Sequence, residues 1–289
     1  MKMKLVAQAP GGQDGAIFKD YLFRFQASGL CRVYDALALD PYAETPVTLP
    51  QISEFKLAET EPIIPHFNSV VFGPEFYADG DEFPLLYANV YNNYSKAEDR
   101  KEGMGCVYRL LRQGADFSMT LVQIIKIGFI LDSDLWVSDG DVQDVRPYGN
   151  FVIDAERDLL CAFTMRDGDH TTRYFTFRLP KLAEGTYSEE FGVNLVTLTK
   201  QDIIDCFDTE YHLYIQGACC YGGKVYSCEG FNEKIPPSLR VISLTERKQL
   251  RHVNLADMGY PTEAEFMDFR NGFCYYSDSK GNYYRVDFE

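Results

Sequence analysis

The sequence predicts an all-β, single-domain propeller of five blades over residues 1–289, and three observations predict it. Five short apolar runs with polar openings recur, each followed by a tight turn and two aromatic-rich strands. A strand unit recurring every ~40–50 residues is the signature of a β-propeller. The third strands of these units also align with one another, and a leftover apolar segment at the start of the chain matches a strand missing at its end.

The inner strands are expected at 14–18 (Asp14-Gly15-Ala16-Ile17-Phe18), 68–72, 150–154, 217–221 and 265–269. Third strands are expected at 31–35, 106–110, 173–177, 239–243 and 283–287, where alternating β-branched and aromatic residues mark burial on at least one face. Outer strands follow at 52–57, 119–127, 193–199 and 250–255. The fifth unit lacks one, so residues 3–8 are expected to pair beside 283–288, which closes the ring and removes an open edge. One helix is expected under the blades, capped by Thr199, with Gln201 and Asp202 in its first turn and Ile203, Ile204 and Phe207 on its apolar face. Insertions at 73–83, 91–105 and 128–146 account for uneven spacing between units. A sixth blade in the longest gap would have only the apolar stretch 129–137 around Trp136 to build on.

Composition fits one all-β domain, with 46% hydrophobic and 15% aromatic residues in 289. A net charge of −15 argues against nucleic acid or an anionic membrane as partner, since both need clustered Lys and Arg. The chain opens Met1-Lys2-Met3-Lys4-Leu5-Val6 and turns polar at Gln8, with no apolar run long enough for a leader or a membrane span; a cytoplasmic location is expected. Eight cysteines occupy positions of small apolar residues, among them Cys31, Cys106, Cys161, Cys228 and Cys274 within strands. No C-x-x-C pair occurs, so buried free thiols in a reducing compartment are expected rather than disulfides or a zinc site.

Inner strands of a propeller converge on one axial mouth, and the residues that open them here are polar. They are Gln13 and Asp14, His66 and Asn68, Arg146, Tyr148 and Asn150, Gln216, and Glu263 and Glu265. Convergent polar groups in a concavity point to a ligand site; alternatively they satisfy one another and water. Asp14, His66, Asn68, Arg146, Asn150, Gln216 and Glu265 are therefore the candidate ligand-binding residues, for a small polar molecule such as a sugar or a peptide. Catalysis by a carboxylate pair would draw on Asp14 with Glu265 or Glu229, as in glycoside hydrolysis. A third reading is a protein-interaction scaffold through the inserted loops, whose Tyr77, Tyr91 and Tyr94 suit an interface.

Other motifs lead nowhere. Asp132-Ser133-Asp134-Leu135-Trp136 starts like a calcium loop but lacks the fifth ligand and the following glycine. The histidines His66, His170, His212 and His252 are scattered, with no zinc spacing and no nucleophile elbow. No metal or cofactor is expected, with an axial cation left as an open alternative that no motif supports.

Pro65-His66-Phe67-Asn68-Ser69-Val70-Val71-Phe72-Gly73, Glu82-Phe83-Pro84-Leu85-Leu86-Tyr87 and Asp144-Val145-Arg146-Pro147-Tyr148-Gly149-Asn150 together resemble a group of uncharacterised bacterial five-bladed propeller proteins. That resemblance covers nearly the whole chain and implies the fold but no activity. Ser227-Cys228-Glu229-Gly230 and Asn150-Phe151-Val152-Ile153-Asp154 resemble motifs of five-bladed arabinanase-type hydrolases, yet their Asp-Pro pair is missing and Trp136 is the single tryptophan. Glu263-Ala264-Glu265-Phe266 resembles a Pro-Glu-Gly type inner-strand motif without its proline and glycine.

Overall fold

Strand-length runs with alternating apolar residues, joined by tight turns, fold here into consecutive antiparallel hairpins. The computed structural model describes residues 1–57, 63, 65–90, 103–128, 145–146, 150–166, 171–212, 214–231 and 235–288. Five sheets form the five blades of a propeller. Blade 1 runs Gly15–Phe18, Tyr21–Phe25, Leu30–Asp35 and Gln51–Lys56 from the axis outward. Blade 2 runs Val70–Phe72, Leu86–Asn89, Met104–Gln113 and Asp116–Ile127. Blade 3 contains Phe151–Asp154, Leu159–Arg166, Thr171–Arg178 and Ile203–Glu210. Blade 4 has Ile215–Tyr221, Lys224–Phe231, Ile235–Ser243 and Lys248–Asn254. Its first hairpin turns through Gly222 and Gly223, at φ 55° and 70°, the two left-handed positions that a two-residue turn requires.

Blade 5 closes the ring. Ala264–Arg270, Phe273–Asp278 and Asn282–Asp287 are completed by Lys2–Gln8, which pairs antiparallel with Asn282–Asp287 in the register Lys2↔Asp287 to Gln8↔Asn282. The closure continues beyond the strand, where Ala9 N–H donates to the Gly281 carbonyl at 2.9 Å. A Cβ on Gly281 would stand 1.7 Å from the Ala9 carbonyl oxygen, so this crossing needs glycine. The terminal pairing expected from sequence is therefore present.

The hydrophobic core lies in the seams between blades. Phe23, Phe67, Phe83 and Tyr108 fill the seam of blades 1 and 2, with Phe23 edge-on to Phe83 at 5.7 Å. Val6, Ile17, Phe266, Tyr275 and Tyr283 join blades 5 and 1. Val152, Phe163, Tyr174, Ala218 and Ile242 join blades 3 and 4. All eight cysteines are free, and five of the strand positions named above are fully or almost fully buried.

One region departs from the sequence expectation. Residues 193–199 are not the outer strand of blade 3: Val193–Leu198 adds to blade 2, parallel to Asp116–Ile127, and pairs in turn with Thr186–Ser188. The expected helix is absent as well. Thr199 and Asp202 do cap one another, with the Asp202 carboxylate accepting from the Thr199 N–H and Oγ at 2.7 Å each, but only over the 3-10 turn Lys200–Asp202. Ile203–Glu210 then extends as the outer strand of blade 3. Its residues fit a helix face at 203, 204 and 207 but also alternate through Ile203, Asp205 and Phe207, and the free edge of Thr171–Arg178 selects the strand. Pairing across that edge satisfies a full ladder of backbone groups, which outweighs a short local propensity.

Candidate functional site

At the axis the inner strands approach so closely that side chains of one blade bond the backbone of others. Asp14, at the start of blade 1, accepts the Val70 N–H of blade 2 on Oδ2 at 2.9 Å. Asn89 accepts both Asn68 N–H and Ser69 N–H at 2.8 Å, and its amide donates to Asn150 Oδ1 of blade 3 at 2.9 Å. Asn68 reaches across to blade 4, where its Nδ2 donates to the Ile215 carbonyl at 2.9 Å. Ser69 Oγ donates to the Phe151 carbonyl. Asp268 of blade 5 accepts the Ile17 N–H of blade 1 at 2.7 Å. Gly217 sits among these strands: a Cβ there would meet Phe266 Cα at 3.0 Å, Asp14 Oδ1 at 3.1 Å and Cys228 Sγ at 3.1 Å. At this level the axis is filled by protein rather than open as a wide channel.

One buried cation shares the region. Arg24, on the second strand of blade 1, pairs opposite Gly15, whose missing side chain leaves room for the Arg24 stem. Its guanidinium lies 4.9 Å from the Phe266 ring and 5.8 Å from the Tyr283 ring, and Nη2 donates to the Gly12 carbonyl at 3.1 Å. Only 1% of Arg24 is exposed, yet among the described residues Nε and Nη1 have no partner. Asp14 Oδ1, Asn68 Oδ1 and Glu265 Oε2 are likewise buried without a partner. Native proteins pair nearly all such atoms, so five in one neighbourhood call for an explanation.

The carboxyls respond to this burial. Loss of water pushes the Asp14 carboxyl well above its ordinary range, although the Gly15 and Val70 amides and the Arg24 charge pull it down. Burial, reinforced by the charge of Glu263, pushes Glu265 up to about 8 against the opposing pull of Arg24. Around them stand more accessible groups. His66 Nε2 and Gln13 Oε1 are 2.8 Å apart, with burial lowering the imidazole's affinity for a proton. Gln216 Nε2 donates to the Gly230 carbonyl at 2.9 Å and to Glu263 Oε1 at 3.1 Å.

Of the residues picked from sequence, Asp14, Asn68, Asn150, Gln216 and Glu265 thus lie on the interlocked inner ends of the blades, with His66 bonded to Gln13 beside Asp14. The side chain of Arg146 lies outside the described residues, as do Tyr148, Tyr91, Tyr94 and the acidic loop at Asp132. Glu229 lies elsewhere, at the seam of blades 3 and 4, where Oε1 accepts from Arg240 Nε at 2.6 Å and stands 3.5 Å from His212 Nδ1. Arg24 and Asn89 were not singled out from sequence. The signal for Arg24 was a charged residue inside the otherwise aromatic and aliphatic run Tyr21-Leu22-Phe23-Arg24-Phe25; Asn89 gave none, being one asparagine among several near a loop.

No protein-family model and no curated protein matches the sequence. Similar solved structures include a glutaminyl cyclase from Myxococcus xanthus, at 9% identity over 99% of this chain and 94% of that one, with a TM-score of 0.47. They also include a putative glucose dehydrogenase-type oxidoreductase from Thermus thermophilus, at 10% identity over 98% and 99% of the two chains (TM-score 0.44). BamB from Moraxella catarrhalis is 10% identical over 96% of this chain and 58% of its own (TM-score 0.33). None of these carries a residue role to this chain. Among the described residues no helix is long and apolar enough to cross a membrane.

Proposed function

We propose that this propeller binds one small polar ligand at its axial mouth and does not catalyse a reaction there. The observation that carries this reading is the set of five buried, unpartnered polar atoms on Asp14, Arg24, Asn68 and Glu265. Each is costly to leave unmade, by roughly 1–3 kcal/mol and more where charged, so the site is poised to gain from a ligand that completes them. The carboxyls argue for binding rather than glycoside hydrolysis. That chemistry needs one protonated acid beside one ionised carboxylate, whereas burial pushes Asp14 and Glu265 in the same direction. Eight free thiols support a reducing, cytoplasmic setting.

Thermal shifts against sugars, sugar phosphates, nucleotides, amino acids and divalent cations test the proposal, repeated on an Asn68→Ala/Glu265→Ala double variant. A stabilisation of the wild type that the variant loses is the expected result; ligand at ~100 times its Kd adds about 2.7 kcal/mol. A folded wild type that responds to no compound overturns it.

A further inference from the structure

A cavity of about 470 Å³ lies where the turn Asn271-Gly272 joins the first two strands of blade 5 and the strand Asn282–Asp287 runs out, at the opposite end of these strands from Glu265. Small-molecule sites run from roughly 300 to 1,000 Å³. Its lining includes the rings of Tyr42, Phe269 and Phe273 and the charged groups of Arg285 and Asp287. Tyr42 is the informative residue: it is 67% exposed, yet the segment that carries it is pinned. Its N–H donates to Asp40 Oδ1 at 2.9 Å, and its carbonyl accepts from Lys4 Nζ at 3.3 Å. The Pro41 carbonyl accepts from Arg285 Nη1 at 3.0 Å, and the Leu39 carbonyl from the Tyr275 hydroxyl at 2.9 Å. These bonds hold in place a ring that stands mostly in water. Ordering the segment is thereby done in advance, which lowers the cost of binding against it.

The arrangement of the groups sorts the ligand classes. Tyr42 and Phe273 meet edge-on, with centroids 5.5 Å apart and planes at 82°, so they form a corner rather than parallel walls. Phe269 is fixed by stacking on Tyr221 at 4.2 Å. The Arg285 guanidinium stands 6.0 Å from the Tyr42 ring, with Nη2 3.5 Å from Asp287 Oδ2, and both charged side chains remain partly exposed. A cation drawn to the ring faces would meet Arg285, which already lies near that of Tyr42. An anion would meet Asp287 and a chain of net charge −15. A flat heteroaromatic base stacks best between parallel rings, which the corner does not offer. A pyranose suits every part. Its C–H face lies against a ring, while adjacent hydroxyls, each donor and acceptor, bond a guanidinium and a carboxylate held side by side.

We therefore propose a second binding site at this end of blade 5, for a neutral hexopyranose unit seated on Tyr42 with its hydroxyls shared between Arg285 and Asp287. It is separate from the axial site and does not depend on it. The test is saturation-transfer NMR and calorimetry on the full chain with glucose, galactose and mannose, and with their methyl glycosides and disaccharides to tell a free sugar from the end of a glycan. Adenosine, choline and inorganic phosphate form separate arms. At least one hexose or glycoside should bind. Tyr42→Ala and Asp287→Asn should each weaken it by about 10-fold or more, as expected for the loss of a ring contact or of a charge-assisted hydrogen bond. Tyr42→Phe, which retains the ring, and Glu265→Gln at the axis should leave it unchanged. The bonds that pin the Tyr42 segment come from its backbone, so the Tyr42 variants should keep the wild-type melting temperature. A sugar whose binding survives Tyr42→Ala overturns the placement, and its loss in Glu265→Gln would assign it to the axis instead. Binding of adenosine, choline or phosphate without any hexose overturns the ligand class, and no response to any hexose overturns the proposal.

Discussion

Among the described residues two arginines are buried, Arg24 and Arg240, and their surroundings differ completely. Arg240, at the seam of blades 3 and 4, uses all three nitrogens: Nε to Glu229 at 2.6 Å, Nη1 to Gln249 Oε1 at 2.7 Å and Nη2 to the Tyr211 carbonyl at 3.0 Å. Arg24, between blades 5 and 1, makes one hydrogen bond among the described residues, to Gly12, and otherwise rests on aromatic rings. The first is a closed structural clamp in which charge burial is offset by charge and geometry. The second is left incomplete, and burial of an incompletely bonded charge is costly. Glu229, which the sequence offers as an acid for catalysis, belongs to the clamp.

The comparison can be broken in several ways. Deleting residues 1–8 should have the largest effect, about 4 kcal/mol or more by urea denaturation, because it removes the fully buried Val6 and Ala7 and the ladder to Asn282–Asp287. It should loosen the Arg24 side first, since Ala7 pairs with Tyr283, one of the rings beneath Arg24; unchanged unfolding would refute the closure. Arg240→Met should cost about 3–5 kcal/mol by removing the cation that offsets the buried Glu229 charge. Arg24→Met should cost no more than about 1 kcal/mol, because it removes an incomplete charge and retains an apolar stem. Equal losses in the two variants would erase the distinction between clamp and site.

Gly217→Ala lies between these, at about 1–3 kcal/mol, since its methyl group would press on Phe266, Asp14 and Cys228. A further effect is one of pH. Glu265 ionises near 4.5 when unfolded and near 8 when folded, so between those values the folded state holds the extra proton and the wild type loses stability as pH rises. Asp14 shifts in the same direction. Glu265→Gln removes the first contribution. Its melting temperature should match or trail the wild type near pH 4.5 and gain on it progressively up to pH 8; parallel melting curves across that range would show that Glu265 is not buried as an acid.

Legibility in the sequence followed the locality of the interactions. Blades 1, 2, 4 and 5 could be read because their hairpins join neighbouring segments, and turn residues with alternating apolar positions mark such hairpins directly. Blade 3 was misread at its outer strand because both 193–198 and 203–210 suit an edge, and the choice depends on which free edge each meets. Thr199 and Asp202 do form the cap their spacing suggests, but a cap states only where a turn begins and not how far it runs. At the axis, Asp14, Asn68, Asn150, Gln216 and Glu265 stood out as polar residues opening apolar strands. Arg24 did not, although its place inside the apolar run Tyr21–Phe25 is a local sign of burial; its partners come from other blades and leave no local mark.

Strand periodicity, the absent outer strand of the fifth unit and the spare segment at the start were enough to specify a ring of five blades and its mode of closure. These are consequences of side-chain alternation and of the need to pair every backbone edge, both written along the chain. Which polar groups complete one another was decided only by tertiary structure. Arg24 and Glu265 are separated by most of the sequence, and whether a buried charge is clamped like Arg240 or left open like Arg24 depends on distances of a few ångströms between blades, which no local pattern encodes.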